Sequence, residues 1–233
     1  MIKASPCPDI HGMKKRAFIV IGIESSGNHL ILSLLSKMTI GGVAVLGSDL
    51  ADLEQTGDYR CHDFEAFNAA WLGEKSIAEI AQGRHFVTGR SYPCGGHYPD
   101  IAGFYNQCIQ LNYDPVIVII ARDKSIIELS TKKAGHPEQN IEVKIARLVP
   151  VLTSQMRVRF ISYEALFLWG EHYLDNWLAE EGPAFQIDKK WVLRIRNENK
   201  KYMNSQEAEI VQPAQPVRAV QSDVEPMKTN QAA

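Results

Sequence analysis

The sequence predicts a doubly wound α/β fold, in which a mostly parallel sheet is flanked by helices. Two continuously apolar runs, at 17–23 and 116–121, are typical of parallel strands that are buried on both faces. Each run is followed by a polar turn and then by apolar residues at helical spacing. Because strands alternate with helices, we expect ligands to bind at the carboxyl ends of the strands.

Weaker patterns predict the remaining elements of this fold. Short apolar runs that favour strands occur at 43–46, 85–88 and 158–161. The first helix is expected to continue as far as Met38, and a pair of short helices over 64–82 to be broken near Gly73. The other helices are predicted at about 100–111, directly after Asp123, at about 138–153, and from Leu166 to near Gly182.

Composition divides the chain into three segments. The 233 residues, of which 45% are hydrophobic, are enough for one α/β domain with a sizeable core. We assign residues 1–16 to a loose N-terminal lead-in and residues 17–203 to the α/β domain. Residues 204–233 are predicted to be a disordered C-terminal tail, because proline, glutamine, alanine and serine dominate there without any period.

Charge and cysteine content argue against several classes of protein. The formal net charge of -2 does not suit a general nucleic-acid binder. Four scattered cysteines, with no C-x-x-C spacing, suggest neither a disulfide scaffold nor a metal site. No signal peptide is visible, and no run approaches the ~20 apolar residues of a membrane span. The expectation is a cytoplasmic protein without a metal, a membrane or a nucleic acid as partner; the sequence sets no oligomeric state.

The turn after the first strand has the spacing of a phosphate-binding loop, or P-loop. Gly22 and Gly27 are separated by four residues, and a helix follows at once. The positions normally taken by Lys and by Ser or Thr hold Asn28 and His29. Backbone N–H groups at a helix N-terminus attract phosphate or sulfate, although an ordinary strand-to-helix turn would look similar. The side-chain donors around such a cradle would be Ser25, Ser26, Asn28 and His29.

A second motif follows the other buried strand. Arg122 stands at the carboxyl end of that strand, and Ser130 lies eight residues further on, about two helical turns away. An arginine at this edge suits an anionic ligand, although an exposed arginine paired with a neighbour is the alternative interpretation. On its own this motif is not specific.

Taken together, the two motifs resemble the sulfotransferase superfamily. In that family the first loop holds the 5′-phosphosulfate end of the donor, 3′-phosphoadenosine 5′-phosphosulfate, and the Arg and Ser of the second motif hold its 3′-phosphate. The segment 161–166 is similar to the family's Tyr-Glu-x-Leu, whose Tyr lies near the adenine, and 196–202 is similar to the closing Asn-x-Lys-Tyr of some bacterial and viral members. By position, the resemblance implies donor binding by Ser25, Ser26, Gly27, Asn28, His29, Arg122, Ser130, Tyr163 and Lys200.

The resemblance also implies candidate catalytic residues. Ser25 stands where the family loop carries a Lys that neutralises charge on the leaving phosphate, so Arg90 or His29 would supply that charge here. His97 and Glu24 are the candidate general bases, and a histidine suits neutral pH. The alternatives are a surface histidine at 97, a carboxylate at 24 that pairs with an arginine, and a structural ion pair at 90.

The implied activity is transfer of a sulfuryl group from the donor to a hydroxyl, or less often an amine, of a small-molecule or glycan acceptor by in-line displacement. Two alternatives stay open. One is a P-loop nucleotide or sugar kinase, against which the Asn28-His29 pair counts because it lacks the phosphate-binding Lys and the magnesium-binding hydroxyl. The other is a catalytically silent member of the fold that serves as a binding or assembly module, which the missing Lys would explain.

Overall fold

The structure is a computed structural model that describes residues 14–23, 26–47, 63–94, 96–133 and 140–192. These residues belong to the unit Met1–Glu198, and the second unit, Asn199–Ala233, lies outside the described ranges. The predicted lead-in is therefore described only from Lys14, and the predicted tail is not described. Three predicted site residues also lie outside these ranges: Glu24, Ser25 and Lys200.

The described elements alternate between strand and helix along most of the chain. The strands are β1 (Lys15–Gly22), β2 (Met38–Ile40), β3 (Val43–Ala44), β4 (Phe86–Ser91), β5 (Tyr113–Ala121), β6 (Val158–Ser162) and β7 (Phe185–Ile187). The helices are α1 (Asn28–Leu35), α2 (Asp63–Trp71), α3 (Ile77–Ala81), α4 (Ile101–Gln110), α5 (Lys124–Lys133), α6 (Ile141–Leu152), α7 (Tyr163–Ala179) and α8 (Lys189–Val192).

A four-stranded parallel sheet in the order β4-β1-β5-β6 forms the centre of the fold. The predicted α/β class with a parallel sheet flanked by helices is confirmed. From β1 the chain proceeds to β4 on one side of the sheet, and from β5 it proceeds to β6 on the other side. The carboxyl ends of β1 and β5 are therefore neighbours at the point where the connections diverge, which is where such sheets bind ligands.

The two faces of the sheet bury separate apolar layers, as strand alternation requires. Phe18 and Val20 of β1 pack with α1 and α7 on one face, which we call the α1 face. Ile19 and Ile21 pack with α2, α3, α4 and α6 on the other, which we call the α4 face. No helix among the described residues is long and apolar enough to span a bilayer.

A small antiparallel sheet in the order β3-β2-β7 stands apart from the parallel one and was not predicted. Helix α1 ends at Leu35, three residues before the predicted end at Met38, and Met38 begins β2 instead. The predicted strand over 43–46 is also wrong in detail, because β3 pairs antiparallel with β2 and only Leu46 bridges to Phe86 of the parallel sheet. These segments are short, so pairing with the distant β7 decides their structure rather than their own periodicity.

Candidate functional site

The loop between β1 and α1 is braced by its own side chains. Asn28, which is 7% exposed, donates from Nδ2 to the carbonyl of Gly22 (3.2 Å) and to Ser91 Oγ (2.9 Å). Ser26 is fully buried and donates from Oγ to Asn28 Oδ1 (3.2 Å). A Cβ on Gly22 would lie 2.1 Å from Asn28 Oδ1, so the close approach requires glycine there. The predicted donors Ser26 and Asn28 thus form hydrogen bonds inside the loop.

Gly27 lets the backbone enter α1 in a left-handed conformation, with φ 100° and ψ 24°. As the N-cap residue it offers no side-chain cap, and the first turn of α1 holds no acidic residue. The first N–H groups of a helix have no partner within the helix, so this end can receive an anion. His29 lies in this first turn and is exposed.

Arg122 and the loop both contact the ring of Tyr163. The guanidinium carbon of Arg122 lies 4.3 Å from the centroid of that ring. A Cβ on Gly27 would lie 2.7 Å from Tyr163 Cδ2, so the ring packs directly against the loop backbone. Tyr163 is only 2% exposed, and its ring contacts both the loop and the cation. The two predicted halves of the donor site are brought together through this residue.

The start of α7 fixes the position of Tyr163. Ser162 caps the helix by accepting at Oγ from the N–H of Ala165 (3.1 Å). The N–H of Asp123 donates to Glu164 Oε1 (3.1 Å), which joins the end of β5 to α7. Asp123 itself caps α5, and hydrogen bonds from Ser125 hold the pKa of the Asp123 carboxyl below its usual range. Two carboxylates therefore lie at this edge of the sheet beside the arginine.

Ser130 lies on α5, one turn beyond Ile126 and Ile127, two buried residues. Residues at spacings of three and four share a helix face, so half-buried Ser130 is on the side of α5 that turns inward. Its predicted contact with a 3′-phosphate stays a prediction.

Arg90 projects from the α4 face of the sheet, opposite to the face that carries α1. It pairs in register with Ile21, whereas Ser91 pairs with Gly22 and contacts Asn28. The guanidinium Nη2 of Arg90 lies 3.5 Å from the carbonyl oxygen of Asn68 on α2, and Nη1 lies 3.5 Å from Cys94 Sγ. Arg90 and the Asn28 brace thus occupy opposite faces at the same end of the sheet.

The segment after β4 folds back on itself. Cys94 and His97 exchange backbone hydrogen bonds (2.8 and 3.0 Å), and the side chain of His97 is exposed. Tyr92 stacks edge-to-face on Tyr98, with ring centroids 4.8 Å apart, and the Arg147 guanidinium lies 4.3 Å from the Tyr98 ring. The role of His97 as a general base stays a prediction.

Sequence analysis did not single out Ser91 or Glu164. Ser91 contacts Asn28 because it pairs with Gly22 in the register between β4 and β1. That register cannot be derived from the local sequence. Glu164 follows Tyr163 in the predicted Tyr-Glu-x-Leu segment, so its position was available as a signal. Two surface grooves occur elsewhere, of about 500 Å³ near Tyr113 and about 400 Å³ beside Phe160, and neither includes a residue of the loop.

Comparisons with known proteins add little to this geometry. No protein-family model matches the chain, and no curated protein sequence matches it. Among solved structures, one from the PezAT chromosomal toxin–antitoxin system of Streptococcus pneumoniae is similar over 85% of this chain and 86% of its own. The two sequences are 9% identical and the TM-score is 0.38, so this likeness supports no function.

Proposed function

We propose that the protein is a sulfotransferase-like enzyme, which transfers a sulfuryl group from 3′-phosphoadenosine 5′-phosphosulfate to a hydroxyl or amine acceptor. One observation carries this proposal. The glycine loop after β1 and Arg122 after β5 contact the same ring, that of Tyr163, at the point where the sheet connections diverge. A donor with phosphate groups at two places needs two anion sites that are held at a fixed separation.

The residues present fit such a donor. The N-terminus of α1 carries neither a side-chain cap nor an acidic residue in its first turn, so its N–H groups suit a phosphosulfate. A guanidinium matches the geometry of phosphate oxygens and stays charged at any physiological pH. The described residues contain no group of three His, Cys, Asp or Glu that could hold a metal ion.

When bound, the donor supplies an activated sulfuryl group. The loop N–H groups bind its phosphosulfate end, and Arg122 with Ser130 binds the 3′-phosphate. Tyr163 positions Arg122 and the loop relative to one another, because its ring contacts both. His97 or Glu24 would accept the proton of the acceptor hydroxyl.

A catalytically silent binding module remains the alternative that a specific observation favours. Ser26 donates a hydrogen bond to Asn28, and Ser25 stands where the family loop carries its lysine. Such a protein would bind the nucleotide without transferring the sulfuryl group. Radiolabelled sulfate transfer to a panel of hydroxyl and amine acceptors separates the two functions, because only the enzyme would yield labelled product.

Calorimetric titration with adenosine 3′,5′-bisphosphate, the product of the donor, tests the binding site. Loss of a charge-assisted hydrogen bond costs about 1.5–3 kcal/mol, so Arg122→Ala should weaken binding by roughly 10- to 150-fold. Arg84→Ala is the matched control, because Arg84 is an exposed arginine beyond the opposite end of β4. It should bind like the wild type.

Absence of wild-type binding at millimolar bisphosphate would overturn the proposal. Equal affinity in Arg122→Ala and Arg84→Ala would remove Arg122 from the site. Binding of ATP that depends on Mg²⁺, in place of bisphosphate binding, would favour the kinase.

A further inference from the structure

Arg90 is a half-buried cation whose described contacts are all neutral. Its two nitrogen contacts, both 3.5 Å long, reach a carbonyl oxygen and a thiol. Among the side chains that the structure describes, in residues 14–23, 26–47, 67–94, 96–132 and 140–190, no carboxylate lies within ion-pair distance of it. By contrast, Arg16, Arg157 and Arg159 each pair with at least one carboxylate.

A partly buried guanidinium without a counter-charge is costly for the folded state, because removal from water is not offset by an ion pair. Contacts of 3.5 Å to neutral acceptors recover little of that cost. Five donor N–H groups in a planar fork are well suited to a carboxylate, phosphate or sulfate that arrives from outside.

A second polar group beside Arg90 is also unsatisfied. Asn68 Oδ1, on the turn of α2 whose carbonyl oxygen lies near the Arg90 Nη2, is buried and has no hydrogen-bond partner. The neighbouring Trp71, by contrast, has a hydrogen-bond partner, because its Nε1 donates to Thr88 Oγ1 (3.1 Å). Arg90 and Asn68 therefore both lie near the carboxyl end of β4, where ligands of a parallel sheet bind.

Strand alternation separates this cation from the donor loop. Arg90 lies on the α4 face, whereas Ser91, the next residue, contacts the loop on the α1 face. A cation on the α4 face is suited to a group other than the phosphosulfate that the loop would bind. The second reactant of a transfer reaction, the acceptor, is the group that would need such a contact.

We propose that Arg90 binds an anionic group of the acceptor, so that the acceptor carries a carboxylate, phosphate or sulfate besides the hydroxyl or amine that reacts. The acceptor assignment rests on the proposed function, whereas the anion site itself rests only on the contacts of Arg90. Arg90 is thus a specificity-determining residue for the acceptor, in place of a charge-neutralising one for the transferred group.

Inorganic phosphate is the probe for this site. The protein is first saturated with adenosine 3′,5′-bisphosphate, which fills the donor site, and is then titrated with phosphate in a calorimeter. The wild type and Arg84→Gln should bind phosphate equally, and Arg90→Gln should bind it at least tenfold more weakly. Arg90→Lys keeps the charge but loses the planar fork of N–H donors, so its affinity for phosphate should lie between those of the wild type and Arg90→Gln.

Stability supplies an independent readout that a structural role would change. If Arg90 serves a ligand, its charge does not stabilise the fold, so the urea midpoint of Arg90→Gln should equal or exceed that of the wild type. Phosphate affinity in Arg90→Gln within twofold of wild type would overturn the proposal. So would absence of phosphate binding in the wild type, or a lowered urea midpoint in Arg90→Gln.

The proposed donor site and the proposed Arg90 site can be overturned independently of one another. Phosphate binding that depends on Arg90, in a protein that does not bind the bisphosphate, would overturn the donor site and leave the Arg90 site standing. Bisphosphate binding without any phosphate binding that depends on Arg90 would overturn the Arg90 site alone.

Discussion

At the scale of single residues, Asn28 shows that a residue that departs from the P-loop motif can have a structural role. It occupies the place of the P-loop lysine, and from the sequence alone it looks like the loss of a phosphate contact. In the fold its amide is buried and bridges Gly22, at the end of β1, to Ser91, at the end of β4. Asn28 therefore holds the loop in shape.

This role predicts a large cost for a small change. Asn28→Ala removes the donor from two buried acceptors and should lower the free energy of unfolding by about 1–3 kcal/mol. Asn28→Asp keeps the size but places a carboxylate against the Gly22 carbonyl, so the loss should be at least as large. Urea denaturation measures both.

Asn106→Ala, at an exposed position on α4, is the control of the same residue type and should change stability by less than ~0.5 kcal/mol. If Asn28→Ala behaves like Asn106→Ala, the loop does not depend on the amide.

At the scale of elements, α7 is fixed at both ends. Its first residue, Tyr163, contacts the loop and Arg122. Its far end is followed by Glu181, whose side chain is fully buried. Glu181 accepts from Arg159 (2.7 Å) and Arg157 (2.9 Å), and Arg16 lies 3.6 Å away. Glu181 thus joins the far end of α7 to the amino ends of β1 and β6, and a break at Gly170 (φ 51°, ψ -121°) separates this end from Tyr163.

Two adjacent glutamates allow this attachment to be tested with a matched pair. Glu181→Gln removes a buried carboxylate from three arginines, each of which keeps Asp114 or Glu180 as a second partner, so it should lower the free energy of unfolding by about 1.5–3 kcal/mol, the range for hydrogen bonds to charged groups. Glu180 also pairs with Arg159 (2.6 Å), but its side chain is 71% exposed. Glu180→Gln should therefore cost at most about 1 kcal/mol.

Guanidinium chloride unfolding of both variants gives the comparison. If Glu181→Gln and Glu180→Gln lower the free energy of unfolding equally, the buried ion pairs of Glu181 stabilise the fold no more than a surface ion pair does.

The sequence predicted some of the strands and helices correctly and missed others. The long buried strands β1 and β5 were predicted because each is a continuous apolar run, and the longer helices because apolar residues recur at helical spacing over many residues. The short strands β2, β3 and β7 were missed or misplaced because two or three residues carry no period. Their pairing joins Met38 to Ile187, a partner that no local pattern can supply.

At the scale of the whole molecule, His85 connects stability to pH. It lies at the start of β4, is 1% exposed, and accepts at Nδ1 from the N–H of Arg16 (2.9 Å). Burial, with a smaller contribution from the charges of Lys15 and Arg16, lowers the pKa of His85 from 6.5 to about 4. The unfolded chain therefore binds a proton at a higher pH than the folded one does.

Stability from this group is complete above pH 6.5 and is lost as the pH falls from 6.5 towards 4, because protons then favour the unfolded state. The loss should be on the order of 2 kcal/mol. His85→Asn keeps an acceptor near the Nδ1 position and cannot be protonated in this range, so its stability should fall less over the same interval. Thermal unfolding between pH 4 and pH 7 measures the difference, and parallel pH profiles for the two proteins would contradict the assignment.

Local sequence patterns were enough to predict the α/β class, the order of the main strands and helices along the chain, and the positions of Gly27 and Arg122, each of which follows a buried strand. These properties follow from local periodicity and from the glycine that a tight turn requires. The fold was needed to show that Tyr163 contacts both Gly27 and Arg122, that Asn28 hydrogen-bonds to Gly22, and that Arg90 and Ser91 lie on opposite faces of the sheet. Strand order and register set these contacts, and both arise from pairing between residues far apart in sequence.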